Sequence, residues 1–186
     1  MAVLTQKELE DLFWKATIMT LGLEPGADEE IVQKRVRISW PQSDAGNSDW
    51  RRDENVIFLR ISPCPDDYAI LKDISPVYDK ERDDMKEVVA YHRCYSINWV
   101  CYGPDSAADA DAIRIGILRD PIKTFLRKSK VAIIPAIREP VGLPEMDASG
   151  DWWERYDVTA TFYAMAVREY HEGRIALPPD NIIIEY

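Results

Sequence analysis

Few residues of this chain are suited to chemistry: two histidines, His92 and His171, and three cysteines, Cys64, Cys94 and Cys101. His92 and Cys94 stand two apart in an alternating stretch, so a strand there places both on one face. Cys101 falls on the opposite face by parity. A zinc site needs three or four converging ligands, and this pattern offers two. His92 is therefore expected as a partly buried histidine packed in a sheet. Cys64 is flanked by Pro63 and Pro65, with no neighbouring base to activate it. There is no nucleophile elbow and no phosphate-binding glycine loop, since the eight glycines are scattered at turns. Asp66-Asp67 has the chemistry to hold a cation but reads as solvated loop charge. Carboxylates are plentiful, and nothing selects a working pair. The expectation is a chain with no catalytic residue, no metal ligand and no cofactor.

The elements that would position any site centre on residues 87–128. From Val89 the odd positions run Val89, Tyr91, Arg93, Tyr95, Ile97, Trp99, Cys101. The even positions run Ala90, His92, Cys94, Ser96, Asn98, Val100, Tyr102. This period-two pattern predicts an unusually long strand with one large apolar face and one smaller, more polar face. Residues 152–167 alternate in the same way and are its natural partner. Gly103-Pro104 turns the chain into a helix with Ala108, Ala112, Ile113 and Ile117 on its buried stripe, and Pro121 predicts a kink or restart.

Around that centre, Thr5 and Glu8 form a capping-box pattern before a helix bearing Leu9, Leu12, Phe13, Ala16 and Met19 on one side. Residues 31–40 alternate as a strand, and residues 55–62 are almost wholly apolar, as in a strand covered on both sides. With the polar loop 41–52 they predict a long-looped hairpin. Residues 63–87 carry three prolines and eight acids against four bases. No period is sustained there, so an exposed arm is expected, ordered by whatever packs on it. Residues 131–137 predict a short edge strand because of Pro135. Residues 139–150 predict a second long loop, a turn follows at 171–173, and Ile182-Ile183-Ile184 reads as a final strand. The fold class is α+β: a largely antiparallel, mixed sheet with two helices packed on one face, long loops and an extended arm.

Size and charge narrow the function classes. The 186 residues suit one domain, 1–186, with the arm inside it. Lys and Arg number 23 against 33 for Asp and Glu, a formal charge of −10. That disfavours nucleic-acid binding through a general basic surface, which needs clustered cations. An acidic surface can instead let DNA slide past without sticking. Three cysteines without short paired spacing fit a reducing compartment. The first residues lack the pattern of a signal peptide, and no apolar run approaches a bilayer span, so no membrane partner is expected.

Aromatic residues beside arginines stand out. Trp40, Trp50, Trp152 and Trp153 sit at or beside the two polar loops, accompanied by Arg51, Arg52 and Arg155. Trp, Tyr and Arg are enriched at interface hot spots. Parity puts Trp152 and Trp153 on opposite faces, so one must find cover outside the core.

Several strings in order resemble one family: Arg37-Ile38-Ser39-Trp40-Pro41; Trp50 with Asp53-Glu54-Asn55-Val56; Asp66-Asp67-Tyr68; Trp99-Val100-Cys101-Tyr102-Gly103-Pro104; and Gly150-Asp151-Trp152-Trp153-Glu154-Arg155-Tyr156-Asp157-Val158. Together they resemble the neck or tail-terminator proteins of tailed bacteriophages, from about Val36 to the C-terminus. The resemblance implies a structural subunit without catalytic residues, assembled in the host cytoplasm into a virion. It implies a homo-oligomeric ring, commonly a hexamer, that caps the tail tube and joins it to the head connector or stopper. DNA would pass through the lumen without specific binding. The interface residues expected are Trp40, Trp50, Arg51, Arg52, Tyr68, Trp152, Trp153 and Arg155. The acids expected to face the channel are Asp83, Asp84, Asp105, Asp109 and Asp111. A head-completion or stopper protein is the nearest alternative. From another class, a small-ligand-binding or enzymatic domain would use the sheet face around His92, Asn98 and Tyr102.

Overall fold

The computed structural model describes residues 3–23, 29–39, 51, 53–146, 150 and 152–171. The first helix, α1 (Gln6–Thr20), starts on the expected capping box: the Glu8 amide donates to Thr5 Oγ1 at 3.2 Å, and the Thr5 amide donates to Glu8 Oε2 at 2.7 Å. A second, shorter helix follows, α2 (Glu29–Arg35), and then β1 (Val36–Ile38). A strand was expected from residue 31. Val32 and Val36 are four apart, a spacing that satisfies both periods, so alternation could not decide between them. Lys34 and Arg35 in the last turn complement a helix dipole, and that signal points to the helix.

β1 pairs in parallel with β2 (Val56–Pro63), Val36 opposite Ile57. The expected hairpin is therefore a crossover. Trp40, most of the loop 41–52 and the strand expected at 182–184 lie outside the described residues, as does most of the turn expected at 171–173.

Beyond β2, a 3-10 turn (Asp67–Ile70) leads to β3 (Lys72–Asp79) and β4 (Asp84–Tyr102). The segment expected as an irregular arm is thus largely one limb of a hairpin, and β4 begins well before the alternation first read at Val89. Because β2 and β3 pair with successive stretches of the same strand, they lie along one edge of β4. Residues 64–71 loop out between them.

Three helical or strand elements then follow in quick order: α3 (Ser106–Gly116), α4 (Asp120–Lys128) with Pro121 in its first turn, and β5 (Val131–Ile133). The break expected at Pro121 is present and, with α2, gives four α-helices among the described residues where two were expected. The last strands are β6 (Val141–Gly142), β7 (Glu145–Met146), β8 (Trp152–Trp153) and β9 (Arg155–His171). β9 runs antiparallel to β4 from Tyr102 opposite Arg155 to Lys86 opposite His171.

The sheet order is β1-β2-β4-β9-β5, with β3 on the outer edge of β4 and β6 on the outer edge of β9. It is open and mixed, with one parallel pair, and the fold is α+β as expected. Helices α1, α3 and α4 cover the face carrying the odd residues of β4, where Tyr95, Ile97, Trp99 and Cys101 pack on Leu9, Phe13, Ile113 and Leu126. The Phe13 and Phe162 rings are centred 4.3 Å apart, and Tyr95 stacks on Phe162 at 5.2 Å. One polar relay runs through this core: Trp99 Nε1 donates to Thr17 Oγ1, and that hydroxyl donates to the Phe13 carbonyl, both at 2.8 Å. The opposite face, with Ser96, Asn98, Thr159 and Thr161, has no helix over it among the described residues and is the more polar face that alternation predicted.

The turn out of β4 depends on Gly103. Its φ is +106°, and a Cβ there would sit 2.5 Å from the Glu54 carbonyl oxygen and 2.8 Å from Asn55 Cα. Both the dihedral and the backbone contact reject a side chain. Gly103→Ala should therefore cost about 2–4 kcal/mol in denaturant unfolding. A loss within experimental error would show that the Gly-Pro turn relaxes freely.

Candidate assembly surface

The long β4–β9 ribbon outruns the helices, and both of its ends carry exposed apolar side chains. At one end, β3 joins β4 and β9 in a three-stranded arm. By register, Ile74, Tyr78, Met85 and Tyr170 share the face that buries Tyr95 and Trp99 farther along. Among the described residues no helix reaches them, and Ile74 and Tyr78 stay 56% and 53% exposed. Tyr68, in the 3-10 turn at the arm's base, is 75% exposed.

That turn is held to the sheet by Asp66. Its carboxylate accepts the Tyr68 amide at 2.8 Å and the Tyr163 hydroxyl, and these two bonds, Tyr163 first, hold its carboxyl below the usual range. The Cys64 amide donates to the Cys94 carbonyl at 3.1 Å, which brings the two cysteines side by side. Burial pushes the Cys94 thiol up to about 12, so it is a packed thiol at neutral pH and not a nucleophile.

At the other end, β6 pairs with β9 at Tyr156 and Asp157, while β7 and β8 form a small two-stranded flap. Tyr102 donates to Glu145 Oε2 at 2.7 Å, and Arg155 Nη1 donates to the same oxygen at 3.0 Å. Arg155 also holds Asp157 through Nε at 2.8 Å and Nη2 at 2.7 Å, with its guanidinium over the Tyr102 ring. Of the two tryptophans, Trp153 meets Tyr102 edge-on and is half-buried, whereas Trp152 is 64% exposed. Val141, Leu143 and Met146 are exposed beside it.

The residues singled out in the sequence divide accordingly. Tyr68 and Trp152 are presented to solvent. Trp153 and Arg155 hold the flap in place through the contacts above, and Arg51 pairs with Asp53 at 3.1 Å on the surface. Trp40, Trp50 and Arg52 lie outside the described residues. Among the acids, Asp111 is exposed and 3.5 Å from Arg114. Asp105 accepts Asn55 Nδ2 at 2.7 Å and returns its own amide to Asn55 Oδ1 at 2.9 Å. Asp83, with φ +49°, accepts the Tyr78 hydroxyl, and Asp84 accepts the Met85 amide at 2.7 Å.

Asp109 corrects the expectation for its group. It is 8% exposed, with both oxygens 2.7 Å from Arg35 Nη2, so it ties α2 to α3 and cannot line a channel in this fold. Burial pushes its carboxyl up while Arg35 pulls the other way.

His92 corrects another: it is exposed, edge-on to Tyr163 with ring centres 6.3 Å apart. A ligand site around His92, Asn98 and Tyr102 does not form either. His92 and Tyr102 share a face but are ten residues apart along one strand, a rise of up to roughly 34 Å at about 3.4 Å per residue. Among the described residues, no three His, Cys, Asp or Glu side chains converge as metal ligands.

What this geometry offers is exposed apolar surface at both ends of the ribbon, and one comparison gives the family. The family model described as phage neck terminator protein matches residues 7–184. This chain belongs to that family. No curated protein matches it. As a neck terminator it is a structural component of the phage virion. Alternation alone did not mark Ile74, Tyr78 and Met85, or Val141, Leu143 and Met146. The available signal in the arm was Ile74, Val77, Tyr78 and Met85 inside the acidic stretch 73–87, apolar residues that a solvated loop does not need.

The flap contacts make a pH prediction. The Tyr102 hydroxyl, ahead of Arg155, holds the Glu145 carboxyl below its ordinary range. A lowered folded pKa adds stability that is present above the unfolded value and lost as pH falls through the folded one. The flap should therefore loosen only below the usual glutamate range, seen as faster amide exchange at Glu145 and Met146. Tyr102→Phe should move that loosening to higher pH. An unchanged profile would mean Tyr102 does not hold Glu145.

Proposed function

We propose that this neck terminator assembles as a ring, most simply of six copies, that caps the tail tube and joins it to the head connector or stopper, with DNA passing through the lumen. The observation that carries this reading is the pair of apolar surfaces left uncovered at opposite ends of one subunit, in a chain belonging to a neck family. A closed ring needs two different, complementary patches on each copy. The family match supports the terminator position over a stopper.

The lumen should be neutral to acidic, because a basic ring would hold each phosphate it met. Asp105, at the N-cap of α3, and Asp111, midway along it, are the acids we assign to it. Asp109 is buried, and Asp83 and Asp84 make bonds within the arm.

Imaging of particles should place this chain as a ring at the head-proximal end of the tail tube, and particles lacking it should show heads and tubes that fail to join. Density for the chain elsewhere in the virion would overturn the reading. Particles built with Asp105→Asn and Asp111→Lys should form normal rings but release DNA slowly, since exposed charges are individually worth little to folding. Normal infectivity with intact rings would remove these acids from the channel.

A further inference from the structure

The chain is acidic overall, yet its charge is segregated. Residues 114–130 carry six bases and one acid. Within that stretch Arg119 and Arg127 are exposed, Lys123 is half-exposed, and none of the three has an ion-pair partner among the described residues. Ile115 lies among them, 57% exposed on the outside of α3. The arm leans the other way, with six acids against four bases over its β3–β4 hairpin, residues 72–87, and an uncovered apolar face.

The two surfaces also lie on opposite edges of the sheet. The arm is built on β3, outside β4, whereas α4 packs on β5, outside β9.

We infer that the arm of one copy docks on the α3–α4 surface of the next copy, apolar face on Ile115 and acids against Arg119, Lys123 and Arg127. The inference rests on the ring reading and names the contact that would close the ring. Each surface supplies what the other lacks: opposite charge for register and apolar area for stability. The patches differ and lie on opposite edges, so the contact is head-to-tail and propagates around a ring. Phosphates could also meet the three cations, but DNA would leave the arm's apolar face uncovered. Pro76 sits mid-way along β3 and denies that edge a continuous ladder, so docking uses the face of the arm and not strand addition.

The test is a charge exchange in the full chain, read by sedimentation over a concentration series. Glu81→Lys with Glu87→Lys should weaken self-association roughly tenfold or more, as should Lys123→Glu with Arg127→Glu. A chain carrying all four changes should recover most of the loss, and added salt should weaken the wild type. Circular dichroism on each variant separates misfolding from lost contact.

If the wild type forms rings and neither pair of changes weakens them, this contact is wrong and the ring reading stands. The same holds if the α4 changes lower only the retention of a DNA duplex, or if the combined chain fails to recover. A wild type that is monomeric at every concentration and absent from tail tubes overturns both.

Discussion

One length governs this molecule. β4 has 19 residues and spans roughly 60 Å at about 3.3 Å per residue. The longest helix, α1, has 15 residues and reaches only about 22 Å even if laid along the strand. A layer of such helices can cover the middle of the ribbon and no more. The middle, from Tyr95 to Cys101 with its partners on β9, therefore becomes the hydrophobic core. Among the described residues the ends are left as sheet without a lid, and their apolar side chains stay exposed. Uncovered surface in this subunit follows from the mismatch between strand and helix lengths.

Two kinds of interaction hold the two regimes. Burial holds the middle, where Trp99, Tyr95, Phe13 and Phe162 lose nearly all contact with water and the Trp99–Thr17 relay satisfies the buried indole. Side-chain hydrogen bonds and ion pairs at the surface hold the ends: Asp66 with Tyr163, Lys86 with Glu169, Arg155 with Glu145 and Asp157. Such contacts are individually worth about a kcal/mol or less when exposed. Segments secured that way open locally at small cost while the core stays closed. An arm and a flap that adjust on a rigid middle suit a component of a neck assembled with other virion proteins.

Period two is unambiguous over a dozen residues, so both long strands, their faces and the helix-covered side were legible from Val89 to Tyr102 and from Trp152 to Val167. Capping chemistry at Thr5 and Glu8 was equally plain, as was the restart at Pro121. Residues 31–36 were not, because Val32 and Val36 fit either period and only the placement of charge distinguishes a helix. The arm hid because its alternation is broken by Pro76 and diluted by acids, and because strand pairing is a long-range fact that a local pattern does not contain. Aromatic-plus-arginine clusters marked the right region at Trp152–Arg155 but not the roles within it. Whether an arginine faces a neighbour or braces its own chain depends on a carboxylate such as Glu145, ten residues away.

Charge segregation also bears on the head-to-tail contact proposed above, as against a face-to-face one. Two arms brought together would oppose acid to acid around their apolar faces, and two α4 surfaces would oppose base to base. Like charges set against each other at an interface cost several kcal/mol. The free β3 edge is itself blunted by Pro76 and by Lys72, Asp73 and Asp79, which discourages one arm from adding to another as an extra strand. Symmetric pairing is thus penalised by the same residues that favour the unlike contact. The mismatch in length creates the sticky surfaces, and the placement of charge limits what they can stick to.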